Sequence, residues 1–168
     1  MRGTLAALHL LLILPSVGCK SPEPKAELEI TSLETYWVID SAVGKTEYIA
    51  PAVRFRLHNK GAKSWGAIQA TATFRRKGEE SQSWGSDWRP VTPSGKSLDP
   101  GRDTLVVLKS DGRYFSTGTP ESMFGHQLFK DARVEVFLRI GSSGWVKFAE
   151  ADIARRVGSK TLEALPPS

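Results

Sequence analysis

The stretch Pro51-Ala52-Val53-Arg54-Phe55-Arg56-Leu57-His58-Asn59 sets Val53, Phe55 and Leu57 at every second position, with Arg54, Arg56 and His58 between them. Successive side chains of an extended backbone point to opposite sides, so a period of two marks a strand with one dry face and one wet face. Asn59-Lys60-Gly61 closes the run with turn chemistry. The next run repeats the logic: Ile68, Ala70, Ala72 and Phe74 alternate with Gln69, Thr71, Thr73 and Arg75.

Outward from this pair, residues 27–33 and 35–40 on one side carry the β-branched and aromatic residues that favour strands, as do residues 82–91, 104–110, 132–140 and 145–152 on the other. Gly141-Ser142-Ser143-Gly144 joins the last two as a hairpin. The expected fold class is all-β, an antiparallel β-sandwich of about seven strands. One segment breaks the pattern. Thr119-Pro120-Glu121 is a helix start, with a threonine oxygen to cap free amides and a proline pre-set for the first turn. A short helix over 120–129 is predicted, and Met123, Phe124, Leu128 and Phe129 make it a plug over one end of the sandwich.

The N-terminus has different chemistry. Arg2 precedes an apolar run from Leu5 to Leu14. Crossing a bilayer takes roughly 20 apolar residues, whereas the core of an export signal takes about 7 to 15, so residues 1–18 read as a signal peptide. Pro15-Ser16-Val17-Gly18-Cys19 follows, with small residues ahead of the one cysteine in the chain. This stretch resembles the lipobox of bacterial lipoproteins, with Ser16 where leucine is usual. The resemblance implies that the Cys19 thiol receives a diacylglyceryl group, that cleavage falls just before it and that the new amino terminus is acylated. A lone thiol in an oxidising compartment has no disulfide partner, which fits this role. More than one acyl chain is what stable anchoring requires. Residues 19–26, including Lys20-Ser21-Pro22-Glu23-Pro24-Lys25, then read as a lipidated tether, residues 27–157 as the β domain and residues 158–168 as a flexible tail. Lys20 stands where aspartate signals inner-membrane retention in some bacteria, which leans the expected address toward the outer membrane. The expected localisation is the cell envelope, periplasmic or surface-facing.

The order from Val53 to Ser110 is also informative: an alternating strand ending in LHNKG, a second ending in FRRKG, a polar excursion, then LDPGRDTLVVL. This resembles the small immunoglobulin-like domains of bacterial envelope proteins, of the FxLYD and related types, over about a third of the chain. The resemblance implies an immunoglobulin-like β-sandwich. The matching positions are turn and core residues and carry no ligand with them.

Chemistry is sparse. Gly95-Lys96-Ser97 matches only the end of a phosphate-binding loop, and Pro90 stands where that loop needs glycine. Gly141-Ser142-Ser143-Gly144 lacks the spacing of a nucleophile elbow. Beyond the signal segment only His58 and His126 remain as histidines, without cysteine or carboxylate at ligand spacing, so no metal site, cofactor or catalytic triad is expected. Glu79 and Glu80 are adjacent and point apart, while Asp99 and Asp103 flank a proline-glycine turn that they are expected to shape. The formal charge of +5 is spread along the chain, and removal of Arg2 lowers it by one. That balance excludes nothing about a membrane surface but gives no nucleic-acid footprint. Trp84 and Trp88 stand four apart, on one face of an extended strand. They pack in the core, or form a platform for glycan rings, or anchor a protein partner. The expected function is a membrane-anchored, non-enzymatic binding or assembly module with an envelope protein partner. A carbohydrate or peptidoglycan binder and an envelope hydrolase are the alternatives.

Overall fold

The computed structural model describes residues 24–158 except 45 and 117. The signal segment, Cys19, most of the tether and residues 159–168 lie outside the described residues. The first described element is a single helical turn, α1 (Pro24–Glu27), over part of the expected tether. It then enters a long hairpin of β1 (Leu28–Val43) and β2 (Thr46–Asn59). There follow β3 (Trp65–Gly66), β4 (Ile68–Arg76), β5 (Gly85–Pro90), β6 (Ser97–Leu98), β7 (Asp103–Lys109) and β8 (Tyr114–Ser116). A 3₁₀ helix (Pro120–Gly125) precedes β9 (Ala132–Ile140), β10 (Val146–Asp152) and β11 (Val157–Gly158). Among the described residues no helix is long and apolar enough to cross a membrane.

Two sheets result. One has the order β11-β1-β2-β7, with β8 following β7 along the same side of β2; the other has the order β10-β9-β4-β5. All pairings are antiparallel except β11 on β1. The fold is the expected all-β sandwich, and its strands of six residues or more are seven: β1, β2, β4, β5, β7, β9 and β10. Val53, Phe55 and Leu57 of β2, together with Ile68, Ala70, Ala72 and Phe74 of β4, have no exposed surface and meet Val134, Val136 and Leu138 of β9. Burying a large apolar side chain of this kind contributes about 1.5–3 kcal/mol.

The two expected strands at 27–33 and 35–40 are one strand. A bulge between Thr31 and Glu34, with Ser32 at φ 52°, inserts extra residues opposite Arg56 and Arg54. The inward parity therefore shifts from Leu28 and Ile30 to Leu33, Thr35 and Trp37, and the sequence looks broken where the ladder continues. The helix is also shorter than expected. It ends at Gly125, makes i+3 bonds such as Ser122 N–H to Thr119 O (3.0 Å), and receives no side-chain cap from Thr119. Instead the Ser122 hydroxyl donates to the Thr119 carbonyl at 2.6 Å. Met123, Phe124 and Phe129 close the end of the core as a plug, but Leu128 is 72% exposed.

Asn59, read from sequence as a turn residue, is fully buried and organises the end nearest the tether. Its Nδ2 donates to the carbonyls of Lys63 (2.7 Å) and Leu98 (2.8 Å), and its Oδ1 accepts from the Gly61 amide (3.0 Å). Its backbone bonds to Arg102 O and Gly101 N. Asp99 shapes the adjoining turn, as expected, by accepting from the Ser64 and Ser97 hydroxyls. Asp103 instead lies in β7 and accepts from His58 Nδ1–H at 2.6 Å. Asn59→Ala removes two donors and an acceptor from a site without water access. An unmet buried group costs about 1–3 kcal/mol, so urea unfolding should show a loss of about 2–4 kcal/mol.

At the opposite end Asp40 is shared by Lys109 and Arg113 on the outer side of the first sheet. The Lys109 hydrogen bond holds the Asp40 carboxyl below the usual carboxylate range against the opposing effect of partial burial, and Arg113 adds to it. Lys147, with help from Arg75, does the same for Glu135 on the second sheet. A carboxyl lowered in the folded state gives stability that is present above its unfolded value and is lost as pH falls through its folded value. Stability measured by urea titration should therefore hold from pH 7 to about 5 and decline below about 4. Asp40→Asn should lower stability at pH 7 by about 1 kcal/mol and flatten that decline.

Candidate functional site

The β1–β2 ladder runs from Leu28 opposite Asn59 to Val43 opposite Thr46, about 50 Å at ~3.3 Å per residue. The second sheet is shorter. Its last strand residue on that side, Asp152, accepts at its carbonyl from the Thr35 hydroxyl (2.8 Å), and the same oxygen of Thr35 accepts from the Ala154 amide (3.0 Å). The hairpin tip therefore continues past this clamp, and β8 extends it sideways by pairing Tyr114, Phe115 and Ser116 with Ile49, Tyr48 and Glu47.

Beneath this arm lies an aromatic cluster. Trp37 has no exposed surface, and its ring lies 5.2–6.1 Å from those of Trp84, Tyr114, Phe124 and Phe129. Tyr114 sits 4.9 Å from Trp84, and its hydroxyl accepts from the Lys130 amide (3.2 Å). Tilted pairs of this kind add about 0.5–1.5 kcal/mol each beyond area burial. Among the described residues the Trp37 indole N–H has no hydrogen-bond acceptor, nor does the buried Nε–H of Arg76, whose guanidinium lies 5.7 Å from the Trp84 ring. Two glycines make the cluster sterically accessible. A Cβ on Gly85 would fall 2.0 Å from Ser110 Oγ and 2.6 Å from Gly112 N, and one on Gly112 would fall 2.4 Å from Trp84 O.

Between the arm and the plug opens a cleft of about 420 Å³ lined by Arg76, Tyr114, Phe115, Met123, His126 and Leu128, with Ser116 at its side. Phe115 and Leu128 are 65% and 72% exposed at its mouth. His126 Nδ1 accepts from the Leu128 amide at 3.2 Å, so in the neutral ring the proton sits on Nε2, which is a donor. Ser116 Oγ accepts from the Gly118 amide at 3.1 Å. His126 and Ser116 share the cleft without a hydrogen bond between them among the described residues, and the His58–Asp103 pair does not line it. No group of three or more histidine, cysteine, aspartate or glutamate side chains is placed to hold a metal among the described residues.

The structure divides the two tryptophans singled out in the sequence. Trp84 precedes β5 and packs into the aromatic cluster, while Trp88 is 52% exposed on the outer face and its indole N–H donates to Gln69 Oε1 at 3.3 Å. The backbone turns into the core before β5 begins at Gly85, so strand alternation does not govern Trp84. Trp88 belongs to an edge strand, and that edge is blocked. Val91 N–H donates to Ile68 O across the ladder, so by alternation the amides of Ser86 and Trp88 point outward. Ser86 N–H donates to Asp111 Oδ1 (2.7 Å), Trp88 N–H to Asp87 Oδ1 (2.9 Å), and Pro90 has none to offer. Asp87 Oδ2 also accepts from the Lys109 amide (2.9 Å), which ties this edge to β7 of the other sheet. Strand addition is thereby blocked on this side.

Arg76, Tyr114 and His126 were not singled out as ligands in the sequence. Tyr114 and His126 share one signal, the break in alternation between residues 111 and 131 where the chain leaves the regular sandwich, while Arg76 ends β4 and carries no such mark.

No family model matches the chain, and no curated protein matches it. Among solved structures it is similar to the ApaA protein from Bordetella pertussis, at 16% identity and a TM-score of 0.40, covering 76% of this chain and 93% of that one. It is similar also to a protein from Archaeoglobus fulgidus, at 13% identity and a TM-score of 0.41, covering 74% and 96%. A third likeness is to the GH20 exo beta-N-acetylglucosaminidase from Vibrio harveyi in complex with N-acetylglucosamine, at 12% identity and a TM-score of 0.24, in which this chain spans 18% of that protein. At these TM-scores the likenesses carry no argument about activity.

Because Gly85 lies against backbone as well as a hydroxyl, Gly85→Ala cannot be absorbed by a rotamer change. It should cost about 2–4 kcal/mol and shift the near-ultraviolet circular dichroism of the aromatic cluster. Trp88→Ala, on the exposed face, should stay within about 1 kcal/mol of wild type in the same measurements.

Proposed function

We propose that this chain is a lipid-anchored lipoprotein of the bacterial cell envelope, acylated at Cys19, whose β domain is a non-enzymatic binding or assembly module. The single observation that carries the reading is polarity of position. The described chain starts at Pro24 beside the Asn59 end of the ladder, and the cleft with its exposed Phe115 and Leu128 lies toward the far end. On this reading the anchor joins the domain at the end away from the cleft, which remains accessible to a partner. The sheet order β1-β2-β7 against β10-β9-β4-β5 supports an immunoglobulin-like kinship for the domain. A glycan partner is the second reading, and the exposed Trp88 indole is the observation that favours it. Both readings make the cleft end or the Trp88 face, rather than the tether end, the working surface.

Native protein analysed by mass spectrometry should begin at an acylated Cys19, and Cys19→Ser should move the protein from the membrane fraction to the soluble one. An unmodified thiol, or a chain start downstream of it, overturns the anchor. Photo-crosslinkers placed at Phe115 and Leu128 in intact cells should capture a defined envelope protein, while one at Lys63 should not. The reverse pattern overturns the assignment of the working end.

A further inference from the structure

We propose that the cleft binds an amphipathic monocarboxylate, an apolar chain or ring carrying one carboxylate. The proposal deepens the reading of the cleft as a binding site and does not depend on the lipid anchor. The cleft's size falls within the range of about 300–1,000 Å³ typical of small-molecule sites, and its walls are Tyr114, Phe115, Met123 and Leu128. Methionine and aromatic side chains adapt to an apolar guest at little cost.

Its polar groups are biased toward one sign. Among the described residues no acidic side chain lines it, whereas Arg76 and His126 do. With Nδ1 of His126 accepting from the Leu128 amide, what the ring can offer a guest is the Nε2 proton. Arg76 and Lys130 share the single carboxylate of Glu79, the former at 2.5 Å, whereas Arg155 is matched by Asp131. Lys130 is fixed beside the cleft because its amide donates to the Tyr114 hydroxyl. A guanidinium with a buried Nε–H that has no partner among the described residues, and an imidazole donor, in the wall of an apolar recess complement one negative charge on an apolar body. Charge-assisted hydrogen bonds from guanidinium to carboxylate are the strong class of such contacts.

The test uses the five tryptophans as reporters. Full-length protein with ¹⁵N-labelled indoles is titrated with decanoate and, separately, with decanol, both below the concentration at which they self-associate. Saturable shifts are expected for the Trp37 and Trp84 indole signals, with those of Trp65 and Trp145, toward the other end of the sandwich, unmoved. Decanoate should bind at least tenfold more tightly than decanol, and Arg76→Gln should bring the two affinities together. Equal affinity of wild type for decanoate and decanol overturns the carboxylate inference while leaving the cleft as a binding site. Absence of any saturable shift, or decanoate shifts confined to Trp65, Trp88 and Trp145, overturns the inference altogether. The wild-type comparison stands even where Arg76→Gln perturbs folding.

Discussion

The interior face of β2 is the constraint on which the rest of the structure depends. It is buried along its length, from Ile49 through Val53 and Phe55 to Leu57, and its backbone bonds on both sides to β1 and to β7 with β8. A strand committed in this way fixes the register of its neighbours, because a slip of one residue would turn Phe55 outward and Arg54 inward. The second sheet answers with its own dry row, and Asn59 ends the strand with every polar group of its side chain engaged.

The same commitment produces the site. β1 and β2 are longer than the strands they face, so their far end lacks a full partner across the sandwich. The chain meets this with an arm, β8, and with a plug whose rings surround Trp37. Charge follows geometry at this end: Asp40 holds Lys109 and Arg113, Asp131 holds Arg155, and Glu79 is divided between Arg76 and Lys130. What is left between arm and plug is an apolar recess with basic character.

Alternation made the central strands legible. The row Val53, Phe55, Leu57 and the row Ile68, Ala70, Ala72, Phe74 face the core as the sequence implies, and the hairpin at Gly141 to Gly144 joins β9 to β10. Where the backbone departs from alternation, the sequence misleads. The bulge after Thr31 hides the continuity of β1, and the i+3 bonding of Pro120–Gly125 shortens a helix whose start signals are sound. Trp84 shows the same limit: one residue outside β5, it belongs to the core, while Trp88 inside β5 belongs to the surface. The cleft was illegible for a further reason. Arg76, Tyr114 and His126 come from three separate segments, and only the closed fold brings them to one wall.

The sealed margin of β5 has a consequence for behaviour at high concentration. Sheets grow into fibrils by recruiting a new strand onto exposed amides, and this margin presents a carboxylate over one, a second carboxylate over the next, and an imino acid at the third. Copies crowded side by side find no template there, so ordered polymerisation through this flank is shut off.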